Sequence, residues 1–157
     1  MFKEGVIDGV IIKDLKKFSD RRGWLIELFR HDELAENDFP VMSYISMTEP
    51  GIARGPHEHE EQSDLFCFIG PSDFKLYLWD NRKNSPTYLH KTTAVLGESK
   101  AASVIIPPGV AHAYKNVGGK QGIVFNCANR LYAGKNKKER VDEIRHEEDP
   151  NTPFKLD

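Results

Sequence analysis

Several kinds of protein are excluded by what this chain has little of. Only two cysteines occur in 157 residues, Cys67 and Cys127, and each sits in an apolar run. That placement predicts two buried thiols in a reducing compartment, the cytoplasm. No apolar run approaches bilayer length, so no membrane association is expected. The N-terminal Met1-Phe2-Lys3-Glu4 lacks the apolar centre of a secretion signal. Basic blocks are scarce too. Lys135-Asn136-Lys137-Lys138 stands alone and runs straight into acids, in a chain of net charge -2. Nucleic acid is therefore not the expected partner. Helical periodicity is nearly absent.

What remains is an ordinary globular composition, 39% hydrophobic and 29% charged, enough for one domain over residues 1–157. Short apolar or alternating runs recur about every ten residues, separated by turn residues. They cover Val10 to Leu15, Trp24 to Phe29, Val41 to Thr48, Leu65 to Ile69 and the alternating Phe74 to Trp79. Tyr88 to Val95, Ala101 to Ile106, Ala111 to Val117 and Ile123 to Ala128 continue the series. Asp32 is positioned to cap a short helix that must end before Pro40. Phe74, Leu76 and Leu78 alternate with Lys75, Tyr77 and Trp79, which predicts a half-buried strand. The segment from Lys135 to Glu148 is dense in charge and reads as a loop or a short exposed helix. The fold class is all-β, an antiparallel sandwich or barrel.

Two stretches carry the chemistry. In Gly51-Ile52-Ala53-Arg54-Gly55-Pro56-His57-Glu58-His59-Glu60-Glu61-Gln62-Ser63-Asp64, an extended backbone would turn His57 and His59 to one face. Two imidazoles on one face suit a metal, or one of them a general base. The second stretch is Pro107-Pro108-Gly109-Val110-Ala111-His112-Ala113-Tyr114-Lys115-Asn116. His31, His90 and His146 lie outside both and are expected at the surface.

The spacing P-x-G-x-x-H-x-x-x-N of the second stretch resembles the second motif of the cupin superfamily. Gly51, His57, His59, Asp64 and Gly70 approximate the first motif. That resemblance implies a double-stranded β-helix, a jelly-roll barrel, with N-terminal strands and a short polar C-terminal segment. Within the cupins the chain resembles the dTDP-4-dehydrorhamnose 3,5-epimerase family. The carrying segments are Phe18-Ser19-Asp20-Arg21-Arg22-Gly23 through Glu27, Ser46 to His57, Asp80-Asn81-Arg82, Ser85-Pro86-Thr87, Ile106 to His112 and Asp149-Pro150.

This resemblance implies an isomerase that removes and returns a proton beside the ketone of a nucleotide-linked 4-keto-6-deoxy sugar. Such a reaction needs a base, a group to steady the enolate oxygen, and an acid across the ring. Carried over by motif, His57 is the base, Asp149 orients it, and Tyr132 is the acid, with Tyr114 as the fallback. Substrate contacts fall to Arg22, Glu27, Arg54, Gln62, His112 and Tyr114. The partner is a nucleotide sugar, the assembly a homodimer, and no cofactor is required.

One departure points elsewhere. Where the family carries Q-x-K, this chain reads Gln62-Ser63-Asp64. His57, His59, Asp64 and His112 reproduce the ligand types of metal-binding cupins, and suit Zn, Fe, Mn or Ni. A metal-dependent cupin enzyme is the second reading. A non-catalytic carbohydrate or nucleotide-sugar binding module is the third.

Overall fold

The computed structural model describes residues 1–157. Helical structure is confined to 3-10 turns, and thirteen strands carry the fold. A six-stranded sheet holds β1 (Lys3–Glu4), β9 (His90–Gly97), β8 (Asp73–Asp80), β11 (Val110–Asn116), β6 (Ala53–Glu58) and β13 (Ile144–Arg145), in that order. A five-stranded sheet holds β2 (Ile11–Asp14), β10 (Ala102–Ile106), β7 (Asp64–Phe68), β12 (Gly122–Asn126) and β5 (Tyr44–Thr48). The strands β3 (Lys17–Asp20) and β4 (Gly23–Ile26) form a separate hairpin. All pairings are antiparallel except β1 with β9.

Strand alternation explains the core. The inward residues of both sheets meet as one cluster of thirteen buried side chains, among them Phe66, Phe68, Phe74, Leu76, Leu78 and Val104. The outward residues are covered as well. Leu65, Cys67 and Ile105 lie under Leu28 and Leu34, from the segment that follows the hairpin. Tyr77 and Trp79 lie under Phe154 and Phe2. The expectation of a half-buried β8 is therefore corrected: alternation shows which face a residue takes, not whether the tail covers that face. The short helix expected after Asp32 is two 3-10 turns, His31–Glu33 and Glu36–Asp38. Cys67 and Cys127 are free and buried, as expected.

The segment from Lys135 to Glu148 is more than a loop. Its Ile144–Arg145 adds a strand to the edge of β6, pairing Ile144 with Glu58 and Arg145 with His57. This edge strand walls the site described next.

Candidate active site

The site begins with a glycine. Gly55 has φ +83, and a side-chain carbon there would lie 2.6 Å from the carbonyl oxygen of His112. Only glycine tolerates both conditions, so β6 and β11 approach closely and irregularly at this point. The register then sets His57 opposite His112, with ring centroids 4.5 Å apart. His59 follows directly after β6, and Asp64 opens β7 in the other sheet. Both sheets thus contribute to one cluster.

Asp64 lies at its centre, 1% exposed. Its Oδ1 accepts hydrogen bonds from Gln62 Nε2 and Asn126 Nδ2, each 2.8 Å. Its Oδ2 lies 3.1 Å from His59 Nε2 and 3.2 Å from His112 Nε2. Neither Asp64 Oδ2 nor His112 Nε2 has an aligned hydrogen-bond partner. The three histidines present nitrogens within 4.8 Å of one another.

Burial disfavours charge on every group here, and the neighbours decide the outcome. Burial, reinforced by His112, pulls His57 down to about 2, so its ring is neutral. Burial opposes charge on His59 too, but the Asp64 carboxylate outweighs it and raises that ring to about 9. Burial would raise Asp64, yet His112 and His59 overcome it and hold the carboxyl well below its ordinary range.

The C-terminal segment locks the histidine loop. The Asp142 carboxylate accepts the backbone N–H groups of Glu60, Glu61 and Gln62, at 2.7, 3.0 and 2.8 Å. The Asp142 carbonyl accepts a hydrogen bond from His59 Nδ1. A cavity of about 720 Å³ opens beside this lock, lined by Tyr44, His59, Gln62, Tyr132 and Glu143 among others. Its rim is basic. Arg130 pairs with Glu61 and Arg145 with Glu143, while Lys135, Lys137 and Arg140 form no ion pair.

The expected site residues divide sharply. His57, His59, Gln62, Asp64 and His112 come together. Tyr132 reaches the cavity wall, 55% exposed, its backbone N–H bonded to Met42 Sδ. Asp149 does not reach His57. It is exposed, and its carboxylate accepts the N–H of Asn151 in a turn. The pairing of Arg145 with His57 instead brings Glu143 and Glu147 to the ring, 3.9 and 4.0 Å from Nδ1.

Tyr114 is a core residue bonded to Ser46 Oγ at 2.8 Å, not a cavity group. Arg54 is spent on β5, donating to Thr48 Oγ1 and the Met47 carbonyl. Arg22 pairs with Asp20 at the exposed hairpin turn, and Glu27 lies 3.6 Å from Arg30. Neither belongs to the cavity of this chain. His146 is not a free surface residue, since its Nε2 bonds the buried Glu58 at 2.9 Å.

Sequence reasoning missed Tyr44, Asn126, Asp142 and Glu143. Tyr44 Oη accepts from Asn126 Nδ2 at 3.0 Å, which ties the phenol to the Asp64 cluster. The pairing of Asn126 with Tyr44 across β12 and β5 sets this contact, and no local motif announces it.

The family model for dTDP-4-dehydrorhamnose 3,5-epimerase matches residues 4–148. The chain belongs to the dTDP-4-dehydrorhamnose 3,5-epimerase family. That family is one of isomerases. The chain is similar to Agl13 of Haloferax volcanii, a probable low-salt glycan biosynthesis epimerase, at 38% identity over 128 residues, covering 80% of this chain and 81% of that protein. It is also 38% identical over 113 residues to the spore coat polysaccharide biosynthesis protein SpsL of Bacillus subtilis, covering 72% of this chain and 74% of SpsL. Among solved structures, a dTDP sugar isomerase from Desulfovibrio desulfuricans G20 shares the fold with a TM-score of 0.82 at 21% identity, covering 95% of this chain and 91% of that one. At Asp64 an acid stands where the motif resemblance expects lysine, and it is buried between two imidazoles.

Proposed function

We propose that this epimerase-family chain moves a proton at a carbon beside the ketone of a nucleotide-linked 4-keto-6-deoxy sugar. The observation that carries the reading is the His57–Glu143 pair, whose Glu143 lines a cavity with a basic rim. His57 and Glu143 act together as the base, with Glu143 in the place that the motif resemblance gives to Asp149. The C–H proton passes to this pair, and its electrons move onto the ketone oxygen to give an enolate. Tyr132, whose hydroxyl has no partner within the chain, returns a proton from the opposite face and recovers its own from solvent. Lys135, Lys137 and Arg140 suit the diphosphate of the nucleotide. The positive charge that an enolate needs belongs at the His59 corner, where the cavity meets Asp64.

We also propose a homodimer in the cytoplasm. The free buried thiols support the compartment. Exposed Ile11, Phe18, Trp24, Leu25 and Ile45, on the edges of the five-stranded sheet and the hairpin, support the dimer.

Solvent deuterium uptake into a dTDP-4-keto-6-deoxy sugar tests the reaction. Wild-type protein is expected to catalyse uptake, and His57→Asn to lower it by about 10²–10⁴-fold with an unchanged melting temperature. Uptake at the wild-type rate in the variant removes His57 from the mechanism. Tight binding with no uptake by wild-type protein replaces the enzyme with a binding module.

A further inference from the structure

We propose that His59 Nε2, His112 Nε2 and Asp64 Oδ2 hold a divalent first-row transition-metal ion. The inference rests on donor geometry, not on the reaction assigned above. Each ring has already spent its other nitrogen. His112 Nδ1 donates to the Val110 carbonyl at 3.0 Å, and His59 Nδ1 donates to the Asp142 carbonyl. A carbonyl only accepts, so both Nδ1 atoms carry a proton, and Nε2 is the nitrogen that each ring turns toward Asp64. Gln62 Nε2 lies 3.3 Å from His59 Nε2.

Two imidazole Nε2 atoms therefore converge on one carboxylate oxygen, 3.1 and 3.2 Å away. Lone pairs at that separation repel unless positive charge lies among them. A proton on His59 does not satisfy the whole cluster, because Asp64 Oδ2 and His112 Nε2 lack aligned partners despite the short contacts. A metal ion does. Donors about 2.1 Å from one ion, at octahedral or tetrahedral angles, stand about 3.0–3.4 Å apart. The surroundings are those of a supported ligand set. Each imidazole is oriented by a backbone carbonyl, and Asp64 Oδ1 is held by Gln62 and Asn126.

Two histidines and one carboxylate would leave an ion with further positions to fill, and His59 would place it beside the cavity. A bound ion there supplies the cation beside an enolate oxygen that Asp64 in place of lysine would otherwise remove. His57 stands next to this set. Its Nδ1 faces Glu143 and Glu147, and it keeps the role of base.

The test uses tag-free, full-length protein. Plasma mass spectrometry is expected to find close to one Mn, Fe, Co, Ni or Zn per chain. After chelation, titration with Co²⁺ is expected to produce visible absorption bands. At a hundredfold excess over Kd, the melting temperature should rise by about 5–10 °C. Asp64→Asn and His59→Gln are expected to abolish both signals, while His57→Asn retains them. The wild-type titration stands even if a variant fails to fold. Absence of metal, bands and thermal shift in wild-type protein would falsify the site. Loss of the Co²⁺ bands in a folded His57→Asn protein overturns the three-donor assignment. Deuterium uptake is measured separately, so a metal-bound protein without exchange sinks the reaction and leaves the site standing.

Discussion

At the scale of single residues, the structure separates acids that bear on chemistry from acids that hold the fold. Asp80 is of the second kind. It is fully buried and accepts from Arg82 Nε and Nη2, Ser85 Oγ and Thr87 Oγ1, at 2.6–2.9 Å. Burial opposes its charge, but these bonds, Arg82 first, hold its carboxyl at about 2 against an ordinary 3.8. A lowered folded value gives stability that is present above pH 3.8 and lost as pH falls through about 2. That share is about 2 kcal/mol. Unfolding measured from pH 5 to pH 2 should show it in wild-type protein, and Asp80→Asn should be less stable at neutral pH with a flatter acid limb. Parallel limbs would remove Asp80 as the cause.

Glu143 and Asp149 form the contrasting pair. Glu143→Gln is expected to cut deuterium uptake by about tenfold or more, and Asp149→Asn to leave it within about twofold. The reverse ranking, read by the same exchange assay, would restore the dyad that the motif suggests. The sequence made His57, His59, Asp64 and His112 legible because the spacing of two short motifs is local. The carboxylate partner was not legible, because it depends on where residues 143–147 cross β6. Nothing in the motif around Asp149 records that register.

At the scale of elements, the alternation of apolar and polar residues told most strands apart, from β2 through β12. What it could not tell is which outer faces are covered. Tyr77 and Trp79 alternate like solvent-facing residues, yet Phe154 packs on Trp79 with centroids 5.6 Å apart and on His146 at 4.5 Å. His146 in turn bonds Glu58, the neighbour of His57. Phe154→Ala should therefore cost about 3 kcal/mol in denaturant unfolding, chiefly from the cavity it leaves. It should also weaken the docking of β13, seen as faster amide exchange at Ile144 and Arg145. A stability loss under 1 kcal/mol would mean that the tail merely rests on the sheet.

At the scale of the whole molecule, the exposed apolar residues of the hairpin and of β5 account for the homodimer proposed above. Sedimentation equilibrium is expected to give twice the chain mass of 17.9 kDa. Trp24→Lys with Leu25→Glu should shift the protein toward monomer without unfolding it. A wild-type monomer at micromolar concentration would remove the dimer. Another consequence lies in the order of synthesis. Both sheets of the sandwich, apart from the two-residue β13, are written by Asn126, whereas Asp142, which pins the histidine loop, comes sixteen residues later (142 − 126). A nascent chain grows from its N-terminus. The barrel can therefore close while the loop bearing His59 is still unpinned. A chain cut short before Asp142 would hold both sheets and leave the His59 loop unpinned, so the last strand to dock is the one that matures the site.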